Sequence, residues 1–213
     1  MLCVQRYREQ IGMSIVIAVS GMMGSGKSLL AEHLSAVLGD AVIVCEDEFH
    51  STVERSVDDM RMWLERGSNV AEFDLSRLAG FLEQICRRRE AGEVNATPRY
   101  VLLETQFGRQ HPTLRPWIDW QCWINVSADI CVMRKVKQIA LDMAHGGLIQ
   151  NPAQGLHWIA GFCDSYVELT HRLFAQQQVE VPKSSDLILD GRRSIQQLCT
   201  DLLESLPERL RSF

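Results

Sequence analysis

Ser14 to Leu38, SIVIAVSGMMGSGKSLLAEHLSAVL, is the stretch whose reading decides the fold. Ile15, Val16, Ile17, Ala18 and Val19 form a short, largely β-branched run, the pattern of a strand buried on both faces. Gly21-Met22-Met23-Gly24-Ser25-Gly26-Lys27-Ser28 follows at once and fits GxxxxGK[ST] at every fixed position. Leu29, Leu30, His33, Leu34, Val37 and Leu38 then recur at helical spacing. Strand, glycine loop and helix stand in the order that a phosphate-binding P-loop requires. A dinucleotide-binding GxGxxG loop does not fit, because its third glycine would fall on Leu29.

The residue types explain the chemistry. Gly21, Gly24 and Gly26 let the backbone turn back and aim successive N–H groups at phosphate oxygens. The helix starting near Lys27 adds the partial positive charge of its N-terminus. Lys27, read as a solvated cation, reaches β- and γ-phosphates, and the Ser28 hydroxyl is placed to ligate Mg²⁺. Gly21, Met22, Met23, Gly24, Ser25, Gly26, Lys27, Ser28 and Leu29 are therefore the expected nucleotide-binding residues, with ATP and Mg²⁺ as cofactors.

Outward from this stretch, 213 residues suffice for one well-buried domain and are too few for two comfortable ones. The expected organisation is a polar extension over residues 1–12, with Met13 as a natural start, and a domain over 13–213. The net charge of −5 comes from 22 basic and 27 acidic residues mixed along the chain. No basic block exceeds Arg87-Arg88-Arg89, so no nucleic-acid surface is expected; that triplet suits the end of a helix. Seven scattered cysteines without a CxxC pair point to reduced thiols and a cytoplasmic protein. No apolar run reaches membrane-spanning length, so no membrane partner is expected. The sequence leaves the oligomeric state open.

After the first helix, Ala41 to Cys45 reads as a second buried strand ending in the acidic cluster Glu46-Asp47-Glu48-Phe49-His50. Residues 54–65 are weakly helical. Leu75, Leu78, Phe81, Leu82 and Ile85 mark a clearer helix with Asp74 as its N-cap. Tyr100 to Leu103 is a third strand ending in Glu104, and a loop follows from Thr105 to Pro116. Trp120 to Val126 is a fourth strand, where Trp117, Trp120 and Trp123 read as core. Ser127 caps a helix with Ile130, Met133, Val136 and Ala140 inward and Arg134, Lys135 and Lys137 on another face. Residues 142–156, with three glycines and a proline, look mobile. Trp158 to Gln178 is helical, Leu187 to Leu189 a fifth strand, and Ser194 to Leu206 a closing helix. The alternation predicts an α/β fold: a five-stranded parallel sheet, helices on both faces, and a lid insertion at about 134–157 after the fourth strand.

Ligands bind at the carboxyl edge of such a sheet, where the P-loop, Asp47 and Glu104 converge. Phosphoryl transfer needs this set: a phosphate cradle, Mg²⁺, and a carboxylate to orient the attacking hydroxyl. Lys27 and Asp47 are the expected catalytic groups, with Ser28 and Glu104 toward the metal. Arg134, Lys135 and Lys137 are placed to neutralise the transferring phosphoryl group or to form a solvated helix face. The guanine-reading Asn-Lys-x-Asp of GTPases and the LSGGQ-like signature of transporter ATPases do not occur, and the histidines are dispersed. A P-loop kinase of the nucleoside and nucleotide kinase type, acting on a small hydroxyl-bearing metabolite, remains. A nucleotide-binding regulator without turnover stays open beside it.

From about Ser14 to Leu206 the chain resembles the uridine kinase, nicotinamide riboside kinase and phosphoribulokinase-like group. Asp47-Glu48-Phe49-His50 is similar to that group's Asp-x-Phe-Tyr segment, which implies Asp47 as catalytic base and Phe49 at the substrate. Asn69-Val70-Ala71-Glu72-Phe73-Asp74 resembles its Pro-x-Ala-Phe-Asp segment, which implies that Phe73 and Asp74 meet a ribose. Leu103-Glu104 falls where the group has Glu-Gly, and Thr105 replaces the glycine. An unusual Phe107-Gly108-Arg109 follows, with Arg109 expected among the substrate contacts. The lid pattern Arg-Arg-x-x-Arg-Asp reads Arg134-Lys135-Val136-Lys137-Gln138-Ile139 here, which implies a catalytic Arg134. Val179 to Ile188 resembles the group's Val-Glu-Pro-x-Lys-x-x-Ala-Asp-x-Ile ending, which implies Pro182 and Lys183 near the adenine. The pyrimidine-reading hairpin is reduced to Asn95-Ala96-Thr97-Pro98-Arg99. The resemblance implies ATP-dependent phosphorylation of a nucleoside-like 5′-hydroxyl, with another small metabolite (pantothenate- or sugar-type) as the alternative acceptor.

Overall fold

In a computed structural model, which describes residues 14–49, 56–90, 98–145 and 151–211, the β-branched run forms the middle of a parallel sheet. Strands β1 (Ile15–Gly21), β2 (Ala41–Cys45), β3 (Tyr100–Thr105), β4 (Trp120–Asn125) and β5 (Leu187–Asp190) lie in the spatial order β2-β3-β1-β4-β5. Every pairing is parallel. All five carboxyl ends therefore reach the same edge, and the P-loop leaves from the central one. The expected 1–12 extension, Met13, His50 and residues 91–97 lie outside the described residues.

The two faces of β1 alternate between two cores, as a period of two demands. Ile17 and Val19 pack with Leu102, Cys122 and Ile124 under helix α1 (Lys27–Leu38). Val16 and Ala18 pack with Val44, Val101 and Leu103 under helix α3 (Ser76–Glu90), which presents Leu75, Leu78, Leu82 and Cys86 around its inner face. Between them in the chain, α2 (Val57–Glu65) opens with a capping box made by Ser56 and Asp59. Trp120 and Trp123 are buried in the first core, as core tryptophans should be. The six described cysteines are free thiols. Among the described residues, no helix is long and apolar enough to cross a membrane.

Helix α4 (Ala128–Ala144) corrects the expected inward face. Cys131 and Ile139 are its buried positions, while Met133 is 64 % exposed and Ala140 is exposed. The P-loop packs against its first turn at the Cys131 backbone, so the face that carries Cys131 is the one turned inward. Ser127 occupies the cap position, but its side chain makes no capping bond. The expected loose stretch at 142–156 is helical where described: α4 runs to Ala144 and α5 (Pro152–Ser165) starts with Asn151 as its cap. Residues 146–150 lie outside the described residues. A π-helical turn (Tyr166–Thr170) joins α5 to α6 (His171–Glu180), so the helical run is longer than the expected 158–178. After β5 come α7 (Ile195–Ser205) and α8 (Glu208–Arg211).

The segment after β3 is also more ordered than a polar loop. It turns back beneath the sheet, where Leu114 and Ile118 join the second core, and carries Arg109 to the amino edge. There the guanidinium pairs with Asp186 at 2.7 Å and donates to the carbonyl oxygens of Asp119 at 2.8 Å and Ser184 at 3.3 Å. Asp119 and Asp186 are themselves strand staples. The Asp119 carboxylate accepts from Val16 N at 2.8 Å, and the Asp186 carboxylate accepts from Gln121 N at 2.8 Å. Arg109 thus ties together the starts of β1, β4 and β5 at the edge opposite the P-loop. Replacing it strands several carbonyls and a carboxylate, and such charged hydrogen bonds are worth ~1.5–3 kcal/mol each when half-buried. Arg109→Ala is expected to lower unfolding stability by about 2–3 kcal/mol, measured by urea denaturation.

Candidate active site

The P-loop starts where β1 ends. Gly24 (φ 80°) and Gly26 (φ 103°) adopt left-handed backbone conformations that other residues enter only at a cost. Gly21 and Gly24 are also needed for space. A Cβ on Gly21 would run into the Ser25 side chain, and one on Gly24 would run into the carbonyl of Cys131. Helix α1 opens at Gly26 without any side-chain cap, so the N–H groups of its first turn are not taken up by a side chain. Met22 is buried in the first core, and its carbonyl accepts from Ser25 N at 3.0 Å, which closes the loop.

Lys27 is not the solvated cation its chemistry suggests. It is 8 % exposed, and its ammonium donates to the Met22 carbonyl at 3.2 Å. Its stem runs past Gly21, the residue whose missing Cβ makes the room. Next to it, the Ser28 hydroxyl donates to the Glu104 carboxylate at 2.9 Å. Two elements far apart in the chain thus place a hydroxyl and a carboxylate oxygen side by side at the mouth of the loop.

These groups line a cleft of ≈ 380 Å³ together with Met23, Gly24, Gly26, Leu29, Asp47, Gln106, Arg134, Lys135 and Gln138. Asp47 sits on a 3₁₀ turn (Glu46–Glu48) directly after β2 and accepts from the Gln106 side-chain amide at 3.1 Å. Its neighbour Glu46 is buried and serves the scaffold, accepting from the Thr105 hydroxyl and from Gln106 N at 3.3 Å. Arg134 of α4 donates to the carbonyls of Ser25 at 3.3 Å and Gly191 at 2.9 Å, joining the P-loop to the chain after β5. The edge is strongly negative at its β2–β3 side. Burial pushes the Cys45 thiol up, and the carboxylates of Glu104, Asp47 and Glu48 push it further.

The residues fit Mg²⁺. Hard oxygen donors, Ser28 and Glu104, face the loop in an acidic surrounding that a divalent cation would offset. Among the described residues no group of three or more His, Cys, Asp or Glu could hold a metal by itself. Two protein oxygens are what a Mg²⁺ completed by phosphate and water needs.

Not every expected residue reaches the cleft. Phe73 is 3 % exposed, sandwiched between Trp63 at 5.0 Å and Phe107 at 5.4 Å. Phe49 packs on Phe81 at 5.1 Å. The Asp74 carboxylate accepts from Ser76 N at 2.9 Å at the start of α3, and the Ser76 hydroxyl together with that N–H holds its carboxyl below the usual range. None of these three lines the cleft. Arg109 is at the amino edge, as described above. Pro182 and Lys183 belong to a 3₁₀ turn (Val181–Ser184) that precedes β5, where Lys183 pairs with Glu180 at 2.7 Å. A parallel strand begins at the amino edge, so a segment before it cannot lie at the P-loop; the residues that do are those after β5. There Arg192 folds back on Asp190 at 2.9 Å and holds that carboxyl down to about 2.

Gln106 and Gln138 were missed by the sequence reading. Gln106 carried a signal only by position, as the first residue past the end of β3 at the edge where ligands bind. Gln138 lies one helical turn after Arg134, and neither composition nor motif marks it.

No protein-family model matches the chain, and no curated protein matches it. Among solved structures, it is similar to a sugar kinase from Janibacter sp. HTCC2649, unliganded, with a TM-score of 0.50 and 20 % identity over 90 % of this chain and 93 % of that one. Shikimate kinase from Bacteroides thetaiotaomicron gives a TM-score of 0.40 and 16 % identity over 89 % and 96 %. The architecture is the α/β fold of P-loop kinases, with a five-stranded parallel sheet.

Gly24 tests the loop independently of turnover. Gly24→Ala forces a left-handed alanine, costing ~1–2 kcal/mol, and drives a methyl at the Cys131 carbonyl. The expected result is a lower melting temperature together with an ATP dissociation constant raised about tenfold or more, read by thermal shift and calorimetry.

Proposed function

We propose that this protein is an ATP-dependent phosphotransferase that delivers the γ-phosphoryl group to an alcohol of a small metabolite. The acceptor we assign is the 5′-hydroxyl of a nucleoside-like compound, in line with the resemblance to the uridine kinase, nicotinamide riboside kinase and phosphoribulokinase-like group. The observation that carries the reading is the Ser28–Glu104 pair at 2.9 Å, set in one cleft with Lys27 and Asp47. A bare glycine turn would not require a carboxylate from another strand at its mouth.

Each residue takes a role from its place. The loop N–H groups and the start of α1 hold the phosphates. Lys27 exchanges its bond to the Met22 carbonyl for phosphate oxygens. Ser28 and Glu104 would hold Mg²⁺, which when bound neutralises phosphate charge. Asp47 orients the acceptor hydroxyl and takes its proton as the oxygen attacks in line. Arg134 stabilises negative charge on the transferring group, and Lys135 stands beside it in the same wall.

A second acceptor type, a sugar-like polyol, is favoured by one observation. Phe73 is buried between Trp63 and Phe107, so it offers no free ring face on which a base could stack. A panel of nucleosides, their deoxy forms, nicotinamide riboside and free sugars, scored by ADP release, separates the two. Ribonucleosides used in preference to the others support the nucleoside reading; turnover confined to sugars overturns it.

The roles of Lys27 and Asp47 separate by kinetics. Lys27→Ala is expected to lower turnover ~10²–10³-fold. Asp47→Asn is expected to lower kcat ~10²–10⁴-fold with the KM for ATP little changed. Near-normal turnover in Lys27→Ala excludes the loop as the donor site. A collapse of ATP affinity in Asp47→Asn, with a high rate at saturation, would make Asp47 a metal ligand instead.

A further inference from the structure

Gln106 stands between the proposed base and a buried amide. Its Nε2 donates to Asp47 Oδ1 at 3.1 Å, and its Oε1 accepts from Gln177 Nε2 at 3.3 Å. Gln177 comes from α6 and is 2 % exposed, so its side chain has little freedom to move. The backbone of Gln106 is held as well, because its N–H donates to the buried Glu46 next to Asp47. One residue thus grips the Glu46–Asp47 turn twice, once through its main chain and once through its side chain.

The chain of bonds has a direction. A carboxamide presents an oxygen on one side and an NH₂ on the other, and the two ends are not interchangeable in their partners. The Asp47 carboxylate takes the NH₂ of Gln106, and the Gln177 amide donates to the Oε1 left on the other side. In the flipped arrangement the amide oxygen would face a carboxylate and be repelled. A neutral donor suits this place better than a lysine would, since it orients the carboxylate without forming an ion pair that competes for the acceptor proton.

From this geometry we propose that Gln106 is the positioning residue for Asp47, and that Gln177 supports it only through Gln106, by holding the far end of its amide in place. The inference deepens the phosphotransfer reading and rests on it. It accounts for a polar residue in the cleft wall for which the motif chemistry has no use. It also links the base to α6, the helix that follows the α5 and π-helical segment, through a single buried side chain.

The test is a double-mutant cycle on the full chain, assayed by ADP release with the best acceptor of the panel. Gln106→Leu removes the amide at similar size, and Gln177→Leu removes the partner that holds its far end. Misplacing a reacting group by about 1 Å costs up to ~10²-fold in rate. Gln106→Leu is expected to lower kcat ~10- to 100-fold with the KM for ATP unchanged, which also shows that the variant is folded. Gln177→Leu is expected to lower kcat less, and the double variant no further than Gln106→Leu, because the two act in series. Side-chain amide NMR supplies a readout free of turnover: the Gln106 NH₂ signals should move in Asp47→Ala and in Gln177→Leu. An active wild type matched in kcat by Gln106→Leu overturns the inference alone, as do fully additive effects or amide signals indifferent to both changes. A wild type inert with every acceptor overturns the phosphotransfer reading and this inference with it.

Discussion

The parallel pairing of β1 with β3 is the constraint on which the site depends. Val19 stands opposite Glu104 and Ser20 opposite Thr105, so β3 ends level with the start of the P-loop. Because α1 begins immediately after that loop, Ser28 returns to the height of Glu104 and the two side chains meet at 2.9 Å. An antiparallel β3 would carry Glu104 to the far edge, and no rotamer of either residue could restore the contact. The same pairing on the other side of β3 sets Cys45 opposite Glu104, which delivers Asp47 to the cleft two residues later.

Glycine makes the second half of the arrangement possible. The loop passes so close to α4 that only a residue without a Cβ fits at Gly24, and it does so at Cys131, one of the two buried positions of that helix. Once α4 is seated there, Arg134, Lys135 and Gln138 look into the cleft, while Met133 is left in solvent. This close packing goes with the placement of Arg134 and Lys135 in the cleft wall. The hydrophobic pattern of α4 is weak, with only Cys131 and Ile139 fully buried along 17 residues.

The aromatics of the expected substrate segment are engaged elsewhere. Trp63, Phe73 and Phe107 form a small core of their own, joined by Val70 and Leu173, and Trp63 Nε1 donates to the Asn69 carbonyl at 2.9 Å. The segment that resembles a ribose clamp is thereby built into the scaffold, and Asp74 ends on the N-terminus of α3. What remains at the cleft wall is amide and carboxylate chemistry, in Gln106, Gln138 and Asp47. Directional hydrogen bonds of this kind discriminate acceptors by hydroxyl pattern more strongly than by apolar shape.

All five strands, their α/β alternation and the glycine loop with its neighbouring acids were legible in the sequence, because each rests on local chemistry. A β-branched run makes a buried strand wherever it lies, and GxxxxGK[ST] needs only its own backbone to form the cradle. Asp47 and Glu104 could be placed because a strand's carboxyl end is visible as the point where its apolar run stops. The residues that the sequence misplaced depend on distant partners. Arg109 was expected among the substrate contacts, yet Asp186, 77 positions away, holds it at the amino edge. Phe73 looked like a substrate contact until Trp63 and Phe107 closed around it. Pro182 and Lys183 were assigned by likeness to the adenine, yet the direction of β5 puts them at the other edge. Local pattern thus determined the strands, the phosphate loop and the pair of acids. Only the tertiary structure, through helix rotation and through competition for each long side chain, decided which of the remaining polar residues face the cleft.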